Sequence, residues 1–271
     1  MKKILAWVLV LLCMLSCASA EQLGIATPGD PAEMTEFVQK GELPESAPFI
    51  PDTLDKAVFG ADDRATIAKP GEYPYSAIAY MEIHGKCGCD WTGSGFMISK
   101  IGMATAAHCL VCEEHNQWVE HMTMYFGYKN AKNYTYRYTD PTTYWCGANP
   151  YSSGYYVADD DYAYIKLQKN VGEKVGWLGV RYSYEPNRTE TFHVSGYRHG
   201  VLKASYGAVT LLDSKTYEYL IDTEPGYSGC PVFDSENYAI GINVCHDSTA
   251  NYARRFTGDV RTAMHNNGIF D

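Results

Sequence analysis

Three short segments of this 271-residue chain hold residue types that can act together in nucleophilic chemistry. The first is Thr105-Ala106-Ala107-His108-Cys109, where small residues suit a close-packed turn that presents an imidazole. The second is Asp159-Asp160-Asp161, which runs straight into the alternating stretch Tyr162-Ala163-Tyr164-Ile165-Lys166-Leu167. An aspartate at a strand start can be half buried and can orient an imidazole. The third is Thr223-Glu224-Pro225-Gly226-Tyr227-Ser228-Gly229-Cys230-Pro231-Val232-Phe233. Glycines on either side of Ser228 let backbone N–H groups converge on one point, where an oxyanion can sit. Taken singly, each has an ordinary reading: a surface or core histidine, a solvated acidic loop, a common turn. Taken together they supply a nucleophile, its base and the group that orients the base. Ser228 Oγ would attack a peptide carbonyl, and His108 would take its proton and return it to the leaving amine. Asp161 would fix the histidine tautomer and stabilise the imidazolium. The N–H groups of Gly226 and Ser228 would form the oxyanion hole, where one donor is worth about 3–4 kcal/mol of barrier.

The elements that must position these groups read as strands. Apolar or alternating runs cover 77–83, 95–98, 103–105, 162–167, 191–195, 217–221, 231–233 and 239–244, separated by Gly, Asn, Asp and Pro. Many short strands with turn chemistry between them indicate an all-β sandwich or barrel. One helix is expected over 259–266, where Val260, Ala263 and Met264 fall at i, i+3 and i+4 and Gly268 follows. A seam is expected near 169–176. The tyrosine clusters, such as Tyr134-Thr135-Tyr136-Arg137-Tyr138, are expected to cover β surface.

Composition bounds the rest. A hydrophobic fraction of 46% excludes a disordered chain, and a net charge of −10 argues against nucleic acid or an anionic membrane as the main partner. Lys2 and Lys3, an apolar run over 4–15, and Ala18-Ser19-Ala20 form a signal peptide with cleavage expected after Ala20. The run is too short to span a bilayer, so the mature protein is expected to be secreted and free of the membrane. Residues 21–56 hold five prolines and eight acidic residues against Lys40 and Lys56. They read as loosely ordered chain, either a flexible tail or a propeptide ending at Lys56.

With these residues on view, the chain resembles trypsin-like serine proteases of the chymotrypsin fold, above all the secreted bacterial glutamyl endopeptidases. The order His108, Asp161, Ser228 is the chymotrypsin order. The likeness begins at Ala57-Val58-Phe59-Gly60-Ala61-Asp62-Asp63-Arg64 and continues through Tyr73-Pro74-Tyr75, Gly95-Phe96-Met97-Ile98 and Ala106-Ala107-His108-Cys109. It goes on through Asp161-Tyr162, Ser195-Gly196-Tyr197, Asp222-Thr223 and Gly226-Tyr227-Ser228-Gly229, to Asn251, Arg255 and Thr257. The resemblance implies two six-stranded antiparallel β-barrels with a C-terminal helix, protein or peptide substrates, and no cofactor for the chemistry. It implies a zymogen organised as signal peptide 1–20, propeptide 21–56, N-terminal barrel 57–170 and C-terminal barrel with terminal helix 171–271, acting as a monomer. Tyr227 stands where ordinary zymogens of this kind carry an Asp, so the new amino terminus, Ala57, is expected instead near the substrate pocket.

Pocket chemistry departs from the family pattern. Glutamyl endopeptidases read a glutamate with a Thr five residues before the nucleophile, here Thr223, and with a His on a later strand, where this chain has Asn243. Asn243 carries no charge for a buried carboxylate. His246 or the Ala57 ammonium would then bind the glutamate, or the pocket prefers a neutral side chain. A triad-bearing but non-proteolytic binding module is the alternative from another functional class.

Seven cysteines follow the signal: Cys87, Cys89, Cys109, Cys112, Cys146, Cys230 and Cys245. Export favours disulfides. Cys230–Cys245 is one expected bridge. Cys87 and Cys89 with Cys109 and Cys112 would make further bridges or a zinc site, and Cys146 is the candidate free thiol. His84, His115, His121, His199 and His265 read as surface residues and His193 as a core residue.

Overall fold

The computed structural model describes residues 25–26, 58–140, 143–146, 149–151 and 156–270. The signal peptide, almost all of the expected propeptide and Ala57 lie outside the described residues. Strands in chain order are β1 (Ile25–Ala26), β2 (Ala65–Thr66), β3 (Ile78–Gly85), β4 (Asp90–Met97), β5 (Gly102–Thr105) and β6 (Val111–Cys112). Then come β7 (Gln117–Phe126), β8 (Tyr136–Asp140), β9 (Thr143–Cys146), β10 (Ala163–Lys166), β11 (Gly179–Arg181) and β12 (Phe192–Arg198). The rest are β13 (Val201–Gly207), β14 (Val209–Leu211), β15 (Thr216–Tyr219), β16 (Pro231–Phe233), β17 (Tyr238–His246) and β18 (Asn251–Arg255).

The fold is all-β with two curled sheets, as the resemblance implies. One sheet runs β6-β7-β3-β4-β5-β10-β9, with β8 on β7. The other runs β14-β15-β18-β17-β16-β12-β13-β2, with β11 on β17 and β1 on β11. Among the described residues, every strand pair is antiparallel except β11 with β17. The sheets have eight and ten strands, more than six each, because two-residue strands such as β2 and β6 extend their edges. The chain crosses from the first sheet to the second through a short helix, Gly172–Val175. Ile25 and Ala26, in the stretch read as loosely ordered, pair with Arg181 and Val180.

Local chemistry explains which strands the sequence reveals. β3 buries Ile78, Ala79, Met81 and Ile83, a pattern visible in its residues. β7, ten residues long, was missing from the expected strands. Its alternation buries Val119, then Met122 and Met124, with Glu120 and His121 both exposed between them. The phase changes where the β3–β7 register shifts, between His84 and Gly85. A bulge of this kind hides a strand from a period-2 reading.

The tyrosine cluster at 134–138 runs from surface to core, with Tyr134 exposed and Tyr138 buried, and tyrosines elsewhere enter the core. Tyr197, Tyr217 and Tyr227 are among the largest fully buried side chains. Tyr217 donates to the Tyr184 carbonyl (2.5 Å), and the Tyr197 hydroxyl accepts from the Tyr128 N–H (3.1 Å). Such partners let a phenol bury its ring without stranding its polar end. Tyr197, from the second sheet, packs its ring 5.7 Å from Tyr80 of the first.

The C-terminal helix spans Gly258–Asn266 and buries Val260 and Met264. Just before it, Phe256 meets Phe96 of β4 edge-on, ring centroids 6.4 Å apart. Both rings are fully buried, so this pair joins the end of the chain to the first sheet.

The cysteines require corrections. All seven described cysteines are free thiols, so the expected Cys230–Cys245 bridge is not formed. The Cys230 carbonyl accepts the N–H of Asn243 (2.9 Å), which puts Cys245 two residues beyond the point opposite Cys230. Cys109 does not join Cys87, Cys89 and Cys112; its Sγ lies 3.5 Å from the Ser228 carbonyl oxygen. His115 takes its place in that cluster.

Phe96→Ala should destabilise the fold by about 3–5 kcal/mol, since it opens a cavity the surrounding strands cannot close. Urea denaturation measures this, and a loss under about 1 kcal/mol would show that the pair does not join the sheets.

Candidate active site

His108 sits in the 3-10 turn Ala107–Leu110 that follows β5. Ala106 and Ala107 are fully buried, so the turn packs against the sheet and the imidazole projects from it. Asp161 follows a second 3-10 turn, Ala158–Asp160, and precedes β10. β5 and β10 pair with Ala163 opposite Thr105. That register brings the residue two before β10 beside the residue three after β5. The Asp161 carboxylate accepts the His108 backbone N–H through Oδ1 (2.8 Å) and His108 Nδ1–H through Oδ2 (2.5 Å).

A third donor is the hydroxyl of Tyr156, which bonds Asp161 Oδ2. Asp161 is completely buried. A carboxylate there is tolerable only when its oxygens are paired. Tyr156 was not singled out in the sequence, since nothing in the spacing of Tyr156 and Asp161 marks a hydrogen bond across a loop. The acidic triplet divides by role. Asp159 faces the second sheet, with Lys215 Nζ 3.5 Å from its carboxylate and Arg254 Nε donating to its carbonyl (2.6 Å).

Burial works against a charge on His108, but the Asp161 carboxylate outweighs it and holds the imidazole pKa well above 6.5. Cys146 is half-buried, and that partial burial, with the Asp161 charge, pushes its thiol up to about 11. It is a protonated thiol rather than a competing nucleophile.

Ser228 lies in a turn whose geometry demands glycine. Gly226 has φ +102° and Gly229 φ +83°; a Cβ on Gly229 would stand 2.2 Å from the Ser94 carbonyl oxygen, and one on Gly226 2.6 Å from that of Tyr197. Ser94, in β4, is the hub. Its N–H donates to the Ser228 carbonyl (2.8 Å), its hydroxyl donates to the Gly226 carbonyl (2.8 Å), and its Oγ accepts the Tyr197 N–H (2.9 Å). One serine of the first sheet thus pins the Ser228 turn and β12 of the second. The sequence offered only a small residue between Gly93 and Gly95.

The expected pocket residues part company. Thr223 donates to Asn251 Oδ1 (2.9 Å), and Asn251 lies opposite His246 in the β17–β18 ladder. Thr223 and His246 therefore share a neighbour. Asn243 faces elsewhere: its Oδ1 accepts the Tyr219 hydroxyl (2.6 Å) and its Nδ2 donates to the Tyr227 carbonyl (3.2 Å). Asp222, beside Thr223, accepts the N–H groups of Phe59 (2.8 Å) and Asp63 (3.1 Å). Arg64 reaches Glu224 (2.6 Å). The segment after Ala57 is therefore clamped against the turn that carries Ser228.

Tyr156→Phe leaves the Asp161 carboxylate one donor short, with more of its charge free for the imidazolium. Followed by NMR, His108 should titrate above 6.5 in the native protein and higher still in the variant; an unchanged or lower titration would contradict this arrangement. The pair's contribution to stability is fully present below pH 6.5 and is lost as pH rises through the raised folded pKa of His108.

Residues 93–242 match the family model for the trypsin-like peptidase domain. The chain is 28% identical over 245 residues to the glutamyl endopeptidase of Bacillus licheniformis, covering 88% of this chain and 69% of that protein. It is 26% identical over 221 residues to a Bacillus subtilis protein named extracellular metalloprotease, covering 75% of this chain and 67% of the other. The solved structure of a Glu endopeptidase in complex with MPD aligns with a TM-score of 0.65 at 23% identity, over 78% of this chain and 99% of that one. A domain match over more than half the chain, on the same fold, places this protein in the trypsin-like peptidase family.

Proposed function

We propose that the protein is a secreted serine endopeptidase, made as a zymogen, with His108, Asp161 and Ser228 as its catalytic residues. The observation that carries this reading is the buried Asp161 carboxylate bound to His108 Nδ1–H (2.5 Å). With Nδ1 committed to Asp161, Nε2 is the nitrogen that takes the proton from Ser228 Oγ as it attacks the peptide carbonyl. The carbonyl oxygen becomes an oxyanion facing the N–H groups of Gly226 and Ser228. Collapse breaks the C–N bond, and the imidazolium gives its proton to the departing amine. Water then attacks the Ser228 ester with the same histidine as base, releasing the acid and restoring the serine.

Processing accompanies this reading. Residues 1–20 act as signal peptide and 21–56 as propeptide, with barrels over 57–170 and 171–271. No helix among the described residues is long and apolar enough to cross a membrane. Cleavage between Lys56 and Ala57 creates an ammonium two residues before Phe59. Phe59 N–H is held by Asp222, the neighbour of Thr223, and two residues of chain reach at most about 7 Å, so this tether supports a role for the new amine at the pocket.

The substrate side chain is glutamate, bound by Thr223, His246 and the Ala57 ammonium. The family relative named glutamyl endopeptidase supports this reading, as does the shared position of Thr223 and His246 at Asn251. One observation favours a second reading, a neutral primary specificity: both ends of the Asn243 amide are bonded to Tyr219 and Tyr227.

Profiling the processed enzyme on a peptide library separates these readings. Cleavage after Glu is expected, with Ser228→Ala inactive. His246→Ala should lower kcat/KM on Glu substrates about tenfold to a hundredfold, the worth of a charge-assisted hydrogen bond, and spare neutral ones. Cleavage after neutral residues would overturn the glutamate reading alone. No cleavage by correctly processed protein would overturn the peptidase reading and favour a binding module.

A further inference from the structure

A cluster of soft ligands sits where the β3–β4 turn meets the chain just after His108, and the peptidase chemistry uses none of it. Cys87 and Cys89 come from the tight turn closed by Gly85 N–H to the Cys89 carbonyl (2.9 Å) and Gly88 N–H to the Gly85 carbonyl (2.8 Å). Cys112 ends β6, and His115 lies in the loop that leads to β7. β6 pairs with β7 through Val111–Trp118 and Cys112–Gln117. Lys86 N–H then donates to the Trp118 carbonyl (3.0 Å), drawing the two turns together.

The three sulfurs and a ring nitrogen of His115 all lie within 4.8 Å of one another. His115 Nδ1 is 3.4 Å from Cys89 Sγ and 3.6 Å from Cys112 Sγ. Zinc bonds of about 2.3 Å to sulfur and 2.0–2.1 Å to nitrogen, at tetrahedral angles, give a sulfur–nitrogen edge of about 3.5 Å. Both edges already have that length. All three cysteines are unbridged. Disulfide chemistry suits the set poorly, because any one bridge would strand the third thiol against it.

We propose that Cys87, Cys89, Cys112 and His115 bind one zinc ion in a closed tetrahedral site. Thiolate and imidazole ligands select zinc over calcium or magnesium. Four protein ligands leave no open position, so the ion is structural rather than reactive. Its place in the fold gives it a task. Cys112 lies four residues after His108, and Trp91 at the start of β4 already bonds the Cys109 carbonyl (2.9 Å). The ion adds a second tie between the β3–β4 hairpin and the turn that presents the imidazole. His115 is exposed, which leaves the ion a path from solvent.

Metal analysis of the purified full chain should find one zinc per molecule. Replacement by cobalt(II) should give thiolate-to-cobalt charge-transfer bands and the intense d–d bands of a tetrahedral site. Cys112→Ser and His115→Ala should lose the metal, His115→Cys should retain it, and Cys146→Ser should leave it unchanged. Should Cys112→Ser fail to fold, the surface variant His115→Ala and the cobalt spectrum of the unaltered chain decide the matter. Zinc-free protein that gives no cobalt spectrum would overturn the proposal. So would a disulfide among Cys87, Cys89 and Cys112 found by mass spectrometry.

Discussion

Asp161 carries its carboxylate completely buried, at the point where the His108 turn, the loop before β10 and Tyr156 meet. An ion with no access to water costs several kcal/mol unless its oxygens are satisfied. Here the backbone and ring of His108 and the hydroxyl of Tyr156 meet it. The β5–β10 register delivers the aspartate to the histidine, and the small residues before His108 let its turn pack close enough to donate twice. Because Asp161 is fully buried, the carboxylate acts on the imidazole with little screening, which is why His108 holds its proton above pH 6.5.

The second sheet is fastened to this centre by hydroxyls and cations rather than by apolar contact alone. Ser94 spends its N–H and its hydroxyl on the Ser228 turn and on β12. Arg254 is fully buried yet bonds the Asp159 carbonyl, so the loop before Asp161 is held from both sides. On the far side of the Ser228 turn, Asp222 and Glu224 hold the segment that begins at Phe59. A serine turn built around two glycines in left-handed conformations has little rigidity of its own. Its shape comes from Ser94, from Asn243 Nδ2 on the Tyr227 carbonyl, and from the segment held by Asp222 and Glu224.

Much of this was legible in the residues. The strand Pro231–Phe233 appears with the bounds its sequence suggests, and the helix ending at Asn266 with the same buried face. His108, Asp161 and the glycine-flanked Ser228 stand out because their residue types are rare in that order and context. What escaped reading depends on contacts between distant segments. Tyr156 and Ser94 are ordinary residues whose importance lies in partners brought close by folding, and Asn251, noted only as part of the resemblance, shows its tie to Thr223 only in the fold. β7 was hidden by one extra residue in its ladder. The cysteine cluster was read in part: three of its four members were visible in the spacing. Cys109 was drawn toward Ser228 instead, and an exposed histidine after Cys112 stood in for it. Side-chain direction at a turn is not a property of spacing.

The central claim is that Ser228 is made nucleophilic by a histidine that Asp161 holds. Labelling of the processed protein with a fluorophosphonate, followed by peptide mapping, tests it most directly. The account predicts a single adduct on Ser228, forming faster as pH rises through the His108 titration and abolished in His108→Ala. An adduct on another residue, or correctly processed protein that takes up no label, would contradict it.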